Sequence, residues 1–312
     1  MGLAGLITVL CLNPSFDRTV EVSELEPGQT NRILSSMTQA GGKGLNVATC
    51  LRNLGLESVC LGCAGTDNYE QFSKLLGTRN AWVDFERIPG SIRLNTKVVS
   101  LKGNHHVTEL NEPGPSISKD DLRFLQERFR ESCKKSRMAV ITGSLPPQCP
   151  EGTYAAFMKD VSVPWVLDVG GRELMLGLSA HPFLVKPNLD ELEKAVGRRL
   201  SGSRDIVDAA KYLCERGASC AVVSMGGDGA VITNGKDALF SPALQVKVES
   251  TVGAGDAMVS GLIAGYLKDQ ALDTMLRYGT AAAAASVMSR GTGLFDNESF
   301  AILLERAETR RI

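Results

Sequence analysis

Four short apolar runs lie between residues 139 and 224: AVIT (139–142), WVLD (165–168), FLVK (183–186) and CAVVS (220–224). The segments that separate them carry apolar residues at helical spacing, over residues 151–161, 172–179, 189–196 and 204–216. Continuous apolar runs that alternate with helices are typical of β-α-β units, whose parallel strands are covered on both faces. This part of the chain therefore predicts an α/β fold around a mostly parallel sheet.

A fifth apolar run, LAGLITVLCL (3–12), stops at Asn13-Pro14. It is shorter than the ~20 apolar residues that a membrane-spanning helix needs. No basic residue precedes it and no small-residue cleavage site follows it, so we expect no signal peptide. We expect this run to form a buried first strand.

Two polar stretches interrupt the α/β alternation. Residues 15–38 predict short strands around a Pro-Gly turn, and residues 93–110 alternate in polarity around a turn at Gly103-Asn104. Such turns are typical of hairpins. We expect these segments, at about 15–38 and 91–111, to form a β-sheet lid inserted in one domain that spans the whole chain.

The composition is that of an ordinary globular protein. The chain has 312 residues, with 34 Lys plus Arg against 35 Asp plus Glu, and 43% of its residues are hydrophobic. A net charge of −1 argues against a general nucleic-acid binder, which is normally basic. Among eight cysteines only Cys60 and Cys63 form a CxxC pair, and no histidine is spaced to complete a zinc site with them. We expect free thiols in a reducing cytoplasm.

The segment TVGAGD (251–256) follows an apparent strand at 244–248 and precedes an apolar segment of helical period. Gly253 and Gly255 allow the backbone to approach a ligand closely, and the N–H groups of a helix start bind anions. Asp256 is placed to accept the proton of an attacking hydroxyl, as the base of a phosphoryl transfer does. The alternative is a plain strand–helix turn in which Asp256 only begins the helix.

Two further motifs lie near the N-terminus. AGGKGLN (40–46) lacks the spacing of a Walker P-loop, yet it offers glycines and a cation to a substrate that carries an anion. NPSFD (13–17) follows the first predicted strand, where ligands bind in open parallel sheets, and could offer Asn13 and Asp17 to sugar hydroxyls. The alternatives are a tight turn with a surface lysine and a common Asn-Pro turn.

The motifs VKPNLDE (185–191) and SMGGDG (224–229) each close a predicted strand. In the first, Asn188 and Glu191 have the spacing of a capping box, and the same side chains could organise a hydrated Mg²⁺. The second is a glycine turn that either borders a nucleotide or serves only as a turn.

Together these segments resemble the ribokinase-like sugar kinases of the phosphofructokinase B family. The resemblance covers nearly the whole chain in the family's order, through NPSFD (13–17), AGGKGLN (40–46), RLNTKV (93–98), TGSLPP (142–147), VKPNLDE (185–191), SMGGDG (224–229) and TVGAGD (251–256). Within the family the chain looks most like the 1-phosphofructokinases and tagatose-6-phosphate kinases. It departs from the sugar-phosphate members at WVLDVGG (165–171), where they have a polar run.

The resemblance implies a three-layer ribokinase-like α/β fold with a mostly parallel central sheet and a small β-sheet lid that is often the dimer contact. It implies ATP-dependent phosphorylation of a phosphosugar, D-fructose 1-phosphate to fructose 1,6-bisphosphate, with Mg²⁺ and, as a further candidate, K⁺. The expected partners are the phosphosugar, ATP and a second copy of the chain, with no nucleic acid or membrane. The alternatives are a tagatose-6-phosphate kinase or a 6-phosphofructokinase of the family and, from another class, a catalytically inactive sugar-phosphate sensor.

Motif positions imply the roles of individual residues. Asp256 would be the base, with an anion hole from the amides of Gly253, Ala254 and Gly255. The sugar phosphate would lie against Asn13, Asp17, Gly41, Gly42, Lys43, Asn46, Arg93, Asn95 and Ser144. The nucleotide would lie against Lys186, Asn188, Ser224, Gly226, Gly229 and Thr251. Asn188 and Glu191 would hold Mg²⁺ through water, and the monovalent cation would lie near Ser250, Val252 and Gly291.

Overall fold

The computed structural model describes residues 5–102, 106–289 and 295–312. Its strands, in chain order, are β1 (Leu6–Cys11), β2 (Ser15–Val22), β3 (Ile33–Gly41), β4 (Ser58–Gly65), β5 (Trp82–Ile88), β6 (Arg93–Ser100), β7 (Val107–Asn111), β8 (Ser136–Thr142), β9 (Trp165–Asp168), β10 (Leu184–Val185), β11 (Cys220–Ser224), β12 (Ala230–Thr233), β13 (Ala238–Ser241) and β14 (Arg310–Arg311). Its helices are α1 (Lys43–Asn53), α2 (Tyr69–Leu76), α3 (Lys119–Cys133), α4 (Thr153–Met158), α5 (Gly171–Leu178), α6 (Leu189–Val196), α7 (Gly202–Glu215), α8 (Ala254–Asp269), α9 (Leu272–Val287) and α10 (Asn297–Arg306).

Within these described residues, ten strands form one central sheet in the order β14-β13-β12-β11-β10-β9-β8-β1-β4-β5. The strands from β11 through β5 pair in parallel, and β12, β13 and β14 extend the sheet by antiparallel pairing. The mostly parallel sheet predicted from the apolar runs is confirmed. Inner strands such as β1, β10 and β11 are almost entirely apolar because both faces of the sheet are covered there.

The alternation of side chains along β1 shows how the two faces are filled. Ile7 and Val9 belong to a buried cluster that includes Leu262 of α8, on one face of the sheet. Leu10 belongs to a second cluster with Phe129 of α3, on the other face. Successive side chains of a strand point to opposite faces, so a continuous apolar run supplies both clusters. The result is the predicted three-layer arrangement of helices, sheet and helices.

A second sheet stands over one edge of the first. It has the order β3-β2-β6-β7, and β2 follows β1 after a short turn, so the small sheet rises from the carboxyl edge of the central one. The hairpin chemistry predicted antiparallel pairs, which are present as β2/β3 and β6/β7, while β2 and β6 pair in parallel. The turn predicted at Gly103-Asn104 lies outside the described residues. We call this four-stranded sheet the lid.

Two predicted elements differ from the structure. The strand predicted over 244–248 is wrong: β13 ends at Ser241, and Pro242, which has no N–H to donate to a ladder, follows it. The helix predicted over 151–161 is shorter, and Asp160, just beyond its end, has a φ of 65°. No helix among the described residues is long and apolar enough to cross a membrane.

Candidate active site

A cavity of about 910 Å³ lies between the carboxyl edge of the central sheet and the lid. The predicted site residues that line it are Asp17, Gly42, Lys43, Asn46, Arg93, Asn95, Ser144, Lys186, Asn188, Glu191, Ser224, Gly226, Gly229, Ser250, Thr251, Val252, Gly253, Ala254, Gly255 and Asp256. Parallel strands bring their carboxyl ends to one edge, which is where ligands bind in open α/β sheets. Motifs that are far apart in the sequence therefore share one cavity.

Asp256 lies in the first turn of α8, which begins after Gly253. Gly253 has a φ of 81°, a left-handed conformation that glycine adopts without strain. The Asp256 carboxylate is 5% exposed and accepts a hydrogen bond of 2.8 Å from Asn46 Nδ2. Burial raises the pKa of Asp256 to about 6, against the opposing effect of Lys43. A carboxylate with a pKa near the working pH suits a general base.

The start of α8 has the chemistry of an anion site. The first N–H groups of a helix have no intrahelical acceptor, and the helix dipole adds positive potential there. A Cβ atom at Gly255 would lie 3.5 Å from Lys186 Nζ, so this ammonium group borders the same turn. The amides of the turn and the lysine can together stabilise negative charge on a transferred phosphoryl group.

Asp168, at the end of β9, holds two lysines and was not among the predicted site residues. It is 1% exposed, accepts 2.8 Å from Thr142 Oγ1, and lies 3.1 Å from Lys186 Nζ and 3.6 Å from Lys43 Nζ. Burial alone would raise the pKa of Asp168, but Lys186 and Lys43 hold it at about 2. Asp168 in turn raises the pKa of Lys43. One ionised carboxylate thus ties together cations from two different motifs.

The lid contributes a third carboxylate, that of half-buried Asp17 on β2. Ser15 Oγ donates to Asp17 Oδ1 at 2.7 Å, and Asn95 Nδ2, from the neighbouring strand β6, donates to the same oxygen at 3.2 Å. Burial raises the pKa of Asp17. A Cβ atom at Gly41 would lie 2.0 Å from Asp17 Oδ2, so only glycine leaves room for this carboxylate. Such acceptors suit sugar hydroxyl groups.

Asn13 and Gly41 lie behind the cavity wall rather than in it. The Asn13 amide donates to the Pro113 carbonyl at 3.0 Å and the Leu145 carbonyl at 3.3 Å, which joins three loops at the edge of the sheet. The backbone carbonyl of Asn13 accepts hydrogen bonds from Nε and Nη2 of Arg93, at 3.2 and 3.0 Å. Asn13 therefore orients the lid arginine, a structural task that the motif did not predict.

The capping box predicted at Asn188 and Glu191 is present. Asn188 Oδ1 accepts from the Glu191 N–H at 2.8 Å, and Glu191 Oε2 accepts from the Asn188 N–H at 2.9 Å. Both side chains also line the cavity beside Ser224 and the 3₁₀ turn Gly226–Asp228. Among the described residues no cluster of His, Cys, Asp or Glu has the geometry of a metal cage. The Asn188 amide and the single carboxylate of Glu191 fit a Mg²⁺ ion that is held mainly by phosphates and water.

A model of the pfkB family of carbohydrate kinases matches residues 11–299. This chain belongs to that family. The 1-phosphofructokinase of Escherichia coli K12 is 33% identical over 306 residues, 97% of each chain, and that of Borreliella burgdorferi is 33% identical over 288 residues, 91% of this chain and 92% of its own. The phosphofructokinase-2 of Escherichia coli in complex with fructose-6-phosphate is similar in structure, with a TM-score of 0.86 at 26% identity over 97% of this chain and 99% of that one. The same enzyme in complex with potassium has a TM-score of 0.88 at 28% identity, with the same coverage.

The residues expected to bind a monovalent cation in this pfkB kinase are only partly described. Ser250 and Val252 line the cavity, and the Val252 N–H donates to Ser250 Oγ at 3.3 Å. Gly291, the third of these residues, lies outside the described residues. The cation site therefore stays a prediction.

Arg79 is a further residue of the site that the sequence did not reveal. It follows α2 in a loop, where arginine side chains are usually exposed, yet it is 7% exposed. Its Nη2 donates to Asn46 Oδ1 at 2.9 Å and to Thr49 Oγ1 at 3.3 Å. A chain of hydrogen bonds therefore runs from Arg79 through Asn46 to Asp256.

Proposed function

We propose that this pfkB kinase transfers the γ-phosphoryl group of ATP to the 6-hydroxyl of D-fructose 1-phosphate, giving fructose 1,6-bisphosphate and ADP. The observation that carries the proposal is the buried carboxylate of Asp256, with a pKa of about 6, in the first turn of α8. Arg93 of the lid and Lys43 of α1 line the same cavity as the glycine turns at 226–229 and 253–255. The 1-phosphofructokinase relatives support the choice of phosphosugar.

The reaction needs a base, an anion site and groups that bind the phosphosugar and the nucleotide. Asp256 takes the proton of the sugar's 6-hydroxyl group. At the same time the hydroxyl oxygen bonds to the γ-phosphorus, and the bond from that phosphorus to the leaving oxygen of ADP breaks. The turn amides and Lys186 stabilise the charge on the transferred group. Lys43 and Arg93 hold the phosphate already on the sugar, where the arginine can form two parallel hydrogen bonds. Asn188 and Glu191 would hold Mg²⁺ through water, and the bound ion would supply positive charge against the phosphates.

The lid has two tasks in the proposal. Closing over the sugar excludes water and so suppresses ATP hydrolysis. Its strands also expose apolar side chains, with Ile33, Leu34 and Met37 on β3 and Leu110 on β7 between 42% and 61% exposed. Exposed apolar groups on one small sheet support pairing with a second copy, and light scattering of the purified protein would test for the dimer.

A panel of phosphosugars with Mg-ATP tests the proposal directly. ADP release is measured with fructose 1-phosphate, fructose 6-phosphate and tagatose 6-phosphate side by side. We expect the highest kcat/KM with fructose 1-phosphate. A higher value with fructose 6-phosphate or tagatose 6-phosphate would establish the corresponding alternative, and binding without turnover of any sugar would establish a sensor.

The pKa of Asp256 predicts the acid limb of the pH profile. The base is active only when deprotonated, so kcat falls as the pH drops through about 6. Measuring kcat at saturating substrates reports the bound complex and avoids the titration of the free phosphosugar. A profile that stays flat from pH 8 to pH 5 would contradict a base with this pKa.

Arg93→Ala tests which ligand the lid arginine holds. We expect the KM for the phosphosugar to rise ~10–100-fold and the KM for ATP to stay unchanged, because one or two charged hydrogen bonds to phosphate are lost. Arg93→Lys is the matched control, since it keeps the charge but loses the two parallel donors of the guanidinium group. It should raise the KM for the phosphosugar by less. A rise in the KM for ATP instead would show that Arg93 holds the nucleotide and not the phosphosugar.

A further inference from the structure

The amide of Asn46 lies between a buried cation and the carboxylate of Asp256. Its Oδ1 accepts from Arg79 Nη2 at 2.9 Å, and its Nδ2 donates to Asp256 Oδ2 at 2.8 Å. Asn46 and Asp256 are themselves buried, with 4% and 5% of their surface exposed. The three side chains come from α1, α8 and the loop after α2, so tertiary packing alone brings them together.

The chemistry of the three groups sets the orientation of the amide. A guanidinium group can only donate hydrogen bonds, so it requires the oxygen of Asn46 on its own side. The NH₂ group of Asn46 must then face the opposite way, towards Asp256. An amide rotated by half a turn would place its oxygen against the carboxylate and its NH₂ against the guanidinium, and both contacts would be repulsive.

Several charged groups surround this chain of contacts. Asp256 faces Lys43 and Cys50 from α1, Lys186 from the end of β10 and Asp168 from the end of β9. Arg79 faces Asp17, Cys50 and Asp256. Lys43 and Lys186 line the cavity, whereas Arg79 and Asp168 are buried and do not line it. Changes at Arg79 can therefore alter Asp256 without removing a group that lines the cavity.

We infer that Arg79 is a positioning residue, which orients the Asn46 amide so that Asn46 Nδ2 holds the Asp256 carboxylate towards the substrate. The inference rests on the proposed function, in which Asp256 is the base. A hydrogen bond to the ionised carboxylate favours that form, so Arg79 also keeps the base deprotonated at lower pH. A catalytic geometry that is misplaced by about 1 Å can cost ~10²-fold in rate, even when the mutation is far from the chemistry.

The decisive comparison is Arg79→Met against Thr49→Val. Thr49 Oγ1 also accepts from this Nη2, at 3.3 Å, and Thr49→Val leaves the Asn46 contact in place. We expect Arg79→Met to lower kcat ~10–100-fold and to move the midpoint of the acid limb to higher pH by ~1 unit. We expect Thr49→Val to keep the wild-type midpoint. The double variant Arg79→Met/Asn46→Ala should be no slower than Asn46→Ala alone.

Each outcome of this comparison decides the inference. A midpoint that does not move, an equal loss of activity at every pH, or effects of Arg79 and Asn46 that multiply would overturn it. If Arg79→Met does not fold by circular dichroism, Arg79→Lys decides by the same midpoint, which should rise by less because lysine keeps the charge. Asp256→Asn separates the proposed function from this inference. Normal turnover of Asp256→Asn refutes the proposed base. An inactive Asp256→Asn, together with an Arg79 variant whose acid-limb midpoint does not move, refutes only this inference.

Discussion

Asp256→Asn lowers kcat ~10²–10⁴-fold if the carboxylate is the general base. The amide has the same shape and still accepts the hydrogen bond from Asn46, but it cannot take the proton of the substrate hydroxyl. Substrate binding depends on other groups, so the KM values for ATP and phosphosugar change little. The measurement is steady-state ADP release with the best phosphosugar of the panel.

The same variant should be more stable than the wild type above pH 6. The folded-state pKa of Asp256 is about 6 and its ordinary value is 3.8, so the folded protein binds this proton more tightly. That contribution to stability is complete below pH 3.8 and is lost as the pH rises through about 6. Asn carries no charge, and at pH 8 the variant should gain ~3 kcal/mol in urea unfolding.

A matched control separates this effect from any Asp to Asn change. Asp208, on the exposed side of α7, does not line the cavity, and Asp208→Asn should alter neither kcat nor stability by a measurable amount. An Asp256→Asn enzyme with near-normal kcat would remove Asp256 from the mechanism. A variant that is inactive and less stable would show that the substitution disturbs the fold.

The fold followed from features that act over short distances in sequence. Apolar runs such as AVIT (139–142) and CAVVS (220–224) are buried strands because a parallel sheet covered on both faces needs apolar side chains on both sides. Gly253 marks the turn before α8 because the backbone there is left-handed. The strand predicted over 244–248 failed because apolar side chains that line a cavity have the same composition as a buried strand.

The charge network of the site could not be read from single motifs. Asp168 sits in an apolar run that is typical of a strand, and its partners Lys43 and Lys186 lie 125 residues before it and 18 residues after it. Arg79 follows a helix in a polar loop, where an exposed side chain is the usual outcome. A buried charge is recognised by the groups that surround it, and these are set by tertiary packing rather than by spacing in the sequence.

Asp168→Asn should destabilise the protein by ~3–5 kcal/mol, because it leaves buried Lys186 without its carboxylate. The folded-state pKa of Asp168 is about 2, below the ordinary 3.8, so its ionisation stabilises the fold above pH 3.8 and that contribution is lost as the pH falls towards 2. Urea unfolding at pH 7 therefore measures the full effect. Asp120→Asn, which breaks an exposed pair with Arg123, is the control and should cost less than ~1 kcal/mol.

A second change tests whether the loss comes from the unpaired cation. In the double variant Asp168→Asn/Lys186→Met both buried charges are gone, and much of the lost stability should return. If the double variant is less stable than Asp168→Asn alone, Asp168 acts through packing or through Thr142 rather than through its charge.

The Asp168 variant also has a signature in the pH profile that is opposite to that of Arg79. The carboxylate of Asp168 raises the pKa of Asp256, whereas the hydrogen bond from Asn46 lowers it. Asp168→Asn, assayed at a temperature where it stays folded, should therefore move the midpoint of the acid limb to lower pH. Two buried charges on different sides of Asp256 would then shift one titration in opposite directions. A shift to higher pH in both variants would mean that the midpoint reports general loosening of the site and not the protonation of Asp256.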